Sequence, residues 1–434
     1  MGDMAKYMAK YKVTIDVDPR GERWAMLLDQ SGMPAFYPGL FVTTVLRNKG
    51  KATATQEQAL TAIKALLEFC DAKNINLIER IQSRIWLTTG ELEALSDAVS
   101  KKRRGVLKSN VISLKNGYSP PPMRVQKNTQ TMYMHRIAAY VRWLCEELLG
   151  RASDRFTVET TNAIDWLETA IRTRGRALRS RCDDDEDLKK TKSLRGVTDE
   201  QEVRLFEVLR PRSPLNPFED PGVQFRNYLI VKLLRVTGTR GGELLNIRVR
   251  DDIDWSARQL AIVRRADTPQ DTRRRQALVK TNQRVLPLTE QTLEEIRSYV
   301  VGVRKRIPNA ARCPYLFVSH KSGPTQGHAL SLSSLREIFA TIRRAFPELD
   351  FSAHDLRHRW NESYSVAMNE QDKIGYAEAE QLRNLLEGWS PSSTMGQRYN
   401  KRYIREASHE AMLAVAKRTE RAVECQRNKK LNDG

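Results

Sequence analysis

Five short segments in the C-terminal half gather side chains suited to acting on an anionic group. They are TGTRGGELLNIRVRDDID (237–254), VKTNQRVLPL (279–288), AHDLRHRW (353–360), EGWSPSS (387–393) and TMGQRYNKRY (394–403). A guanidinium is planar and permanently charged, and its fork gives two directed hydrogen bonds to anionic oxygens; Arg240 and Arg357 are of this kind. The imidazole of His354 can exchange a proton near neutral pH, and a flexible ammonium such as Lys280 can supply one. A phenol with a pKa of about 10 attacks only when something receives its proton. Tyr399 and Tyr403 are the phenols of the last segment, and Glu243 follows Arg240 at the i,i+3 spacing that pairs side chains on a helix.

In this order and at these separations the segments resemble the tyrosine recombinase (phage-type integrase) family. The resemblance covers about 198–424, while the N-terminal half matches only in being helical and basic. It implies a 3′-phosphotyrosine made by Tyr399, with Arg240 and Arg357 on the scissile phosphate. His354 would assist removal of the phenolic proton, Lys280 would protonate the leaving 5′-oxygen, and Glu243 would hold Arg240 or orient His354. Two features depart from the family pattern. Trp389 stands where most members have a second histidine, and an indole donates one hydrogen bond but shuttles no proton. The separation of ten residues from Trp389 to Tyr399 is one more than usual, which leaves Tyr403 as the alternative nucleophile. His358 is read as facing structure, and His135, His320, His328 and His409 have no partners at ligand spacing.

The elements that must position these groups fall into a mostly α, multidomain chain. Its expected parts are an N-terminal helical bundle of core-binding type and a mixed α+β catalytic domain with a small antiparallel sheet. Residues 1–45 read as an extension, with a short strand at Val13–Val17; 46–182 read as the helical DNA-binding domain. Capping boxes are expected at Thr53–Gln56 or Thr55–Gln58, at Thr88–Glu91 and at Thr198–Gln201. Residues 183–197 are almost all charged and read as a linker, 198–424 as the catalytic domain, and 425–434 as a polar tail. The last helix, expected from about Tyr403 to Glu424, carries Ala407, Ala411, Leu413 and Val415 as positions for packing within the chain or on a neighbouring protomer.

Charge supplies the partner. Seventy-three Lys and Arg against 53 Asp and Glu leave +20, an excess that a polyanion would balance. Lys101, Lys102, Arg103 and Arg104, then Arg172, Arg174, Arg176 and Arg179, and Arg273, Arg274 and Arg275 are the basic segments expected to follow the phosphates of double-stranded DNA. The family resemblance implies a tetramer joining two recombination sites, with or without partner recombinases. There is no apolar run of about 18 residues and no secretory leader in MGDMAKYMAKYK, so a cytoplasmic, non-membrane protein is expected. The five cysteines form no zinc-like cluster, the acidic run Asp183–Asp187 reads as linker rather than a two-metal site, and no phosphate-cradling glycine loop is present. No metal and no cofactor is therefore expected. A type IB topoisomerase, or a non-catalytic DNA-binding protein of the same fold, is the alternative.

Overall fold

The computed structural model describes residues 10–101, 124–150, 157–175, 197–370, 375–396 and 412–418. The chain divides between Glu186 and Asp187 into two units.

In the N-terminal unit, alternation in the first segment gives a hairpin: β1 (Lys12–Val17) pairs antiparallel with β2 (Arg23–Leu28), with Ile15 opposite Ala25. Ile15, Ala25 and Leu27 point into the same core as the helices that follow, so the described part of 1–45 is built into the helical unit. Next come α1 (Phe36–Phe41), continued by a π-helical turn at Val42–Arg47, then α2 (Thr53–Ala72) and α3 (Leu77–Gln82). The bundle is completed by α4 (Thr89–Ser100), α5 (Lys127–Leu149) and α6 (Val158–Gly175). Leu60, Ile63, Leu92, Leu95, Ile137, Val141 and Ile164 are all buried. Each such side chain contributes about 1.5–3 kcal/mol by leaving water.

The helix starts test the cap readings. Thr88 and Glu91 form the expected box. Neither box expected at the start of α2 forms: Ala52 is the N-cap without a side-chain bond, and Gln56 is buried, donating to the Lys51 carbonyl at 3.0 Å. Cys70 and Cys145 are buried thiols whose pKa burial pushes up to about 12, which makes them unreactive.

The C-terminal unit opens with α7 (Asp199–Leu209), started by the expected Thr198–Gln201 box. The long α8 (Pro221–Thr237) begins on Asp220, with proline in its first turn, and stops at Gly238 in the left-handed region. A four-residue α9 (Gly241–Leu244) precedes a small antiparallel sheet in the order β3 (Ile253–Asp254), β4 (Gln259–Ile262), β5 (Arg284–Pro287). Then follow α10 (Glu290–Ser298), α11 (Leu332–Ala345), α12 (Ala353–Asn369) and α13 (Tyr376–Glu387). Residues 412–418 are helical and exposed; Ala407 and Ala411 lie outside the described residues. The fold is mostly helical with small antiparallel sheets, in more than one unit.

Candidate active site

The site is built around the end of α8. Gly238 has φ 63, and a Cβ there would come within 2.6 Å of the Trp360 ring. Glycine therefore lets the chain turn sharply, and its carbonyl accepts Arg357 Nη1 at 2.7 Å. Two residues later Arg240 caps α9. Its backbone N–H donates to Glu243 Oε2 and its Nη1 to Glu243 Oε1, each at 3.1 Å.

Glu243 is the hub. Its carboxylate also accepts Arg284 Nη2 at 2.7 Å and the Thr281 hydroxyl at 2.8 Å, and Arg357 Nη1 stands 4.0 Å away. Burial opposes its ionisation, but Arg284, the Arg240 backbone and Arg357 outweigh this and hold its pKa below the ordinary carboxylate value. Glu243 thus bonds Arg240 and Arg284 and lies within ion-pair distance of Arg357, so one buried carboxylate joins three arginines.

Helix α12 brings the second pair. Ser352 and Asp355 box its start, and His354 and Arg357 follow three residues apart. Arg357 is fully buried, paired with both Glu243 and Glu387, and its guanidinium lies 5.6 Å from the Trp389 ring centroid. His354 sits on the exposed first turn, edge-on to His358 at 4.7 Å between centroids. Partial desolvation, then the charges of Arg357 and Arg240, lower its pKa against the opposing pull of Asp355. The shift favours the neutral imidazole, the form able to accept a proton.

Trp389 follows Gly388, which closes α13 at φ 67. Asn282 donates its backbone N–H to the Gly388 carbonyl at 2.8 Å and its Nδ2 to the Trp389 carbonyl at 3.3 Å. These bonds tie the Lys280 turn to the Trp389 turn. Lys280 is exposed, next to Thr281. Asn384 Nδ2 holds the turn beyond Trp389 through the carbonyls of Pro391 and Ser393, at 3.1 and 3.2 Å. Beside Arg240 and His354 lies a cavity of about 480 Å³ lined by Leu332, Leu335, Phe339, Arg336 and Arg343.

Arg240, Glu243, Arg357 and Trp389 therefore meet in one cluster with His354 on its rim. Tyr399 and Tyr403 lie outside the described residues, as do Lys102, Arg103, Arg104, Arg176 and Arg179. Of the other basic residues, Arg274 and Arg275 are exposed. Lys101 pairs with Asp97 at 2.7 Å, Arg172 pairs with Glu168, and Arg174 is largely covered, pairing with Glu93 at 2.9 Å. Arg273 corrects the expectation of DNA contact. It is buried, bound to Asp271 at 2.7 and 2.8 Å and to the Leu245 carbonyl at 2.9 Å, and its guanidinium lies 4.4 Å from the centre of the Tyr315 ring. Among the described residues, no group of three or more His, Cys, Asp or Glu is placed to hold a metal ion. No described helix is long and apolar enough to cross a membrane.

Sequence reasoning left Thr281, Asn361 and Glu387 without site roles, and took Arg284 only as a neighbour of Lys280 that could contact phosphate, whereas it is buried on Glu243. For Arg284 a signal existed: it alternates with Val285 so as to share the inward face of β5 with Leu286. A charge in register with a core leucine needs a buried partner. Asn361 and Glu387 carried no comparable sign.

The phage integrase family model matches residues 197–403, the stretch that holds every one of these groups. That region is a phage integrase family domain. An integrase/recombinase of Sinorhizobium fredii is 30% identical over 138 residues, 31% of this chain and 28% of that protein. The match thus spans under a third of its length. Among solved structures, the XerA recombinase is similar at 18% identity and TM-score 0.35, over 86% of this chain and 97% of that one. The XerH site-specific recombinase, bound to palindromic difH substrate in a post-cleavage complex, is similar at 13% identity and TM-score 0.38, over 86% and 93%. Within residues 197–403, Arg240, His354 and Arg357 are brought together around Glu243.

Proposed function

We propose that the protein is a site-specific DNA recombinase that cuts and rejoins strands through a 3′-phosphotyrosine at Tyr399. The observation that carries this reading is the arginine pair, Arg240 and Arg357, gathered by one buried carboxylate with His354 beside it. In the displacement, the Tyr399 oxygen bonds to phosphorus as the P–O5′ bond breaks. The phenolic proton passes to His354, and the departing 5′-oxygen takes a proton from Lys280. Charge grows on the non-bridging oxygens, which the two guanidinium groups offset. A 5′-hydroxyl from the second DNA site then reverses the steps. The phosphotyrosine conserves the bond energy, so no nucleotide is consumed, and none of these steps calls on a metal. Four protomers on two sites would each cut one strand, and DNA is held in part by the exposed Arg274 and Arg275.

The test uses duplexes selected for binding from a randomised pool and nicked to trap the intermediate. Wild-type protein is expected to form a covalent adduct that Tyr399→Phe abolishes and Tyr403→Phe retains. An adduct that survives Tyr399→Phe would remove Tyr399 from its role. Relaxation of supercoiled plasmid without strand exchange between two sites would replace recombinase by topoisomerase.

A further inference from the structure

Glu387 has no part in the steps above, yet it is among the most deeply buried charges of the domain. Its side chain is 1% exposed and pairs with Arg357 Nη2, itself 0% exposed. Its Oε1 accepts Asn361 Nδ2 at 2.8 Å, and the same nitrogen donates to the Arg357 carbonyl at 3.0 Å. Asn361 lies one helical turn after Arg357, so carboxylate, amide and arginine form a closed, buried triangle. Glu387 is also the last residue of α13, and Gly388 and Trp389 follow directly. The group that neutralises Arg357 and the indole that packs on it thus move as one segment.

Counting charges sharpens this. Arg284 and Arg357 have side-chain exposures of 2% and 0%, and Glu387 shares with Glu243 the task of offsetting these two buried cations. Glu243 already serves Arg240 as well. An apolar side chain would fill the end of α13 without the desolvation that a buried carboxylate incurs, so packing alone does not account for Glu387. Binding a group equally in the ground and transition states adds nothing to the chemical step. A guanidinium whose rotation is fixed can be aimed at the oxygens as the transition state places them, which a freely turning one cannot.

We propose that Glu387, held by Asn361, is a positioning residue for Arg357: it fixes the direction of the guanidinium, so that its hydrogen bonds are aimed where the transition state places the non-bridging oxygens. The proposal rests on the recombinase reading above. Glu387→Gln keeps the volume and removes the anion. It is expected to bind the selected duplex as tightly as wild type or more tightly, while single-turnover formation of the covalent adduct slows about ten- to a hundredfold per folded molecule. Glu387→Asp, which restores the charge, is expected to recover part of the rate. Asn361→Ala, which leaves the charge and loosens it, is expected to slow cleavage without weakening binding, and it serves if Glu387→Gln folds poorly. The second readout needs no cleavage. With ¹⁵N-labelled arginine, the Arg357 Nη resonances should show hindered rotation in wild type and fast exchange in Glu387→Gln. An adduct rate equal to wild type, or binding and cleavage that fall together in proportion, would overturn the proposal. A wild-type protein that forms no adduct would instead overturn the recombinase reading, and unchanged Nη exchange in Glu387→Gln would then overturn the pairing on its own.

Discussion

At the scale of single residues the site separates two kinds of group. Arg357, Arg284 and Glu243 are held inside the fold by one another, whereas His354 and Lys280 are exposed. His354 carries the sharper consequence. Partial desolvation and the cations Arg357 and Arg240 lower its pKa from 6.5, so the neutral imidazole persists to more acid pH than in an unperturbed histidine. If His354 receives the phenolic proton, its protonation is what ends activity on the acid side. The single-turnover cleavage rate should hold level as pH falls through 6.5 and decline only below it. His354→Asn should be slower throughout, by roughly 10²–10⁴-fold, and should lack that acid limb. A His354→Asn profile that keeps the limb would assign it to another group. His358 has its own pKa lowered by burial and by His354, so His358→Asn is the control that separates the two rings.

At the scale of elements the decisive joint is the pairing of two turns, Asn282 with Gly388 and Trp389. Gly388→Ala places a methyl 2.7 Å from the Asn282 carbonyl in a backbone already at φ 67. The change should destabilise the protein by at least ~1 kcal/mol, and it should slow adduct formation beyond that loss, because Lys280 and Trp389 would separate. Urea unfolding alongside single-turnover cleavage checks this; a rate that falls only with the folded fraction would make the joint purely structural. Such joints mark the limit of what the sequence discloses. Thr88 with Glu91 and Thr198 with Gln201 were readable because each cap is closed within four residues. The start of α2 was misread because Gln56 turns inward to the Lys51 carbonyl, a bond that burial selects and local pattern does not. Motif spacing picked out Arg240, His354 and Arg357, which the fold brings close together. Arg284 finds Glu243 at a separation of 41 residues, and Asn361 finds Glu387 at 26. The alternation of β5 marks Arg284 as inward but not its partner, and nothing local marks Asn361 or Glu387. Arg273 shows the reverse error, since one member of a basic triplet is spent on Asp271 inside the fold.

At the scale of the whole molecule, the proposed recombinase would use part of the +20 charge to hold DNA. Composition alone overstates that part. Arg273 is buried, Arg174 is mostly covered, and Lys101 and Arg172 are engaged with Asp97 and Glu168. Arg274 and Arg275 are exposed on the C-terminal unit, and the recombinase proposal has them meet phosphates. Each phosphate neutralised releases counterions, which steepens the dependence of affinity on salt by about 0.9 in log–log slope. Arg274→Ala with Arg275→Ala should therefore reduce that slope by about 1.8, and equally on selected and unrelated duplexes, because phosphate contacts carry no sequence. Titrations across a range of salt concentrations measure it directly. A double variant with the wild-type slope would move these arginines off the DNA. A loss confined to the selected duplex would make them readers of base sequence instead.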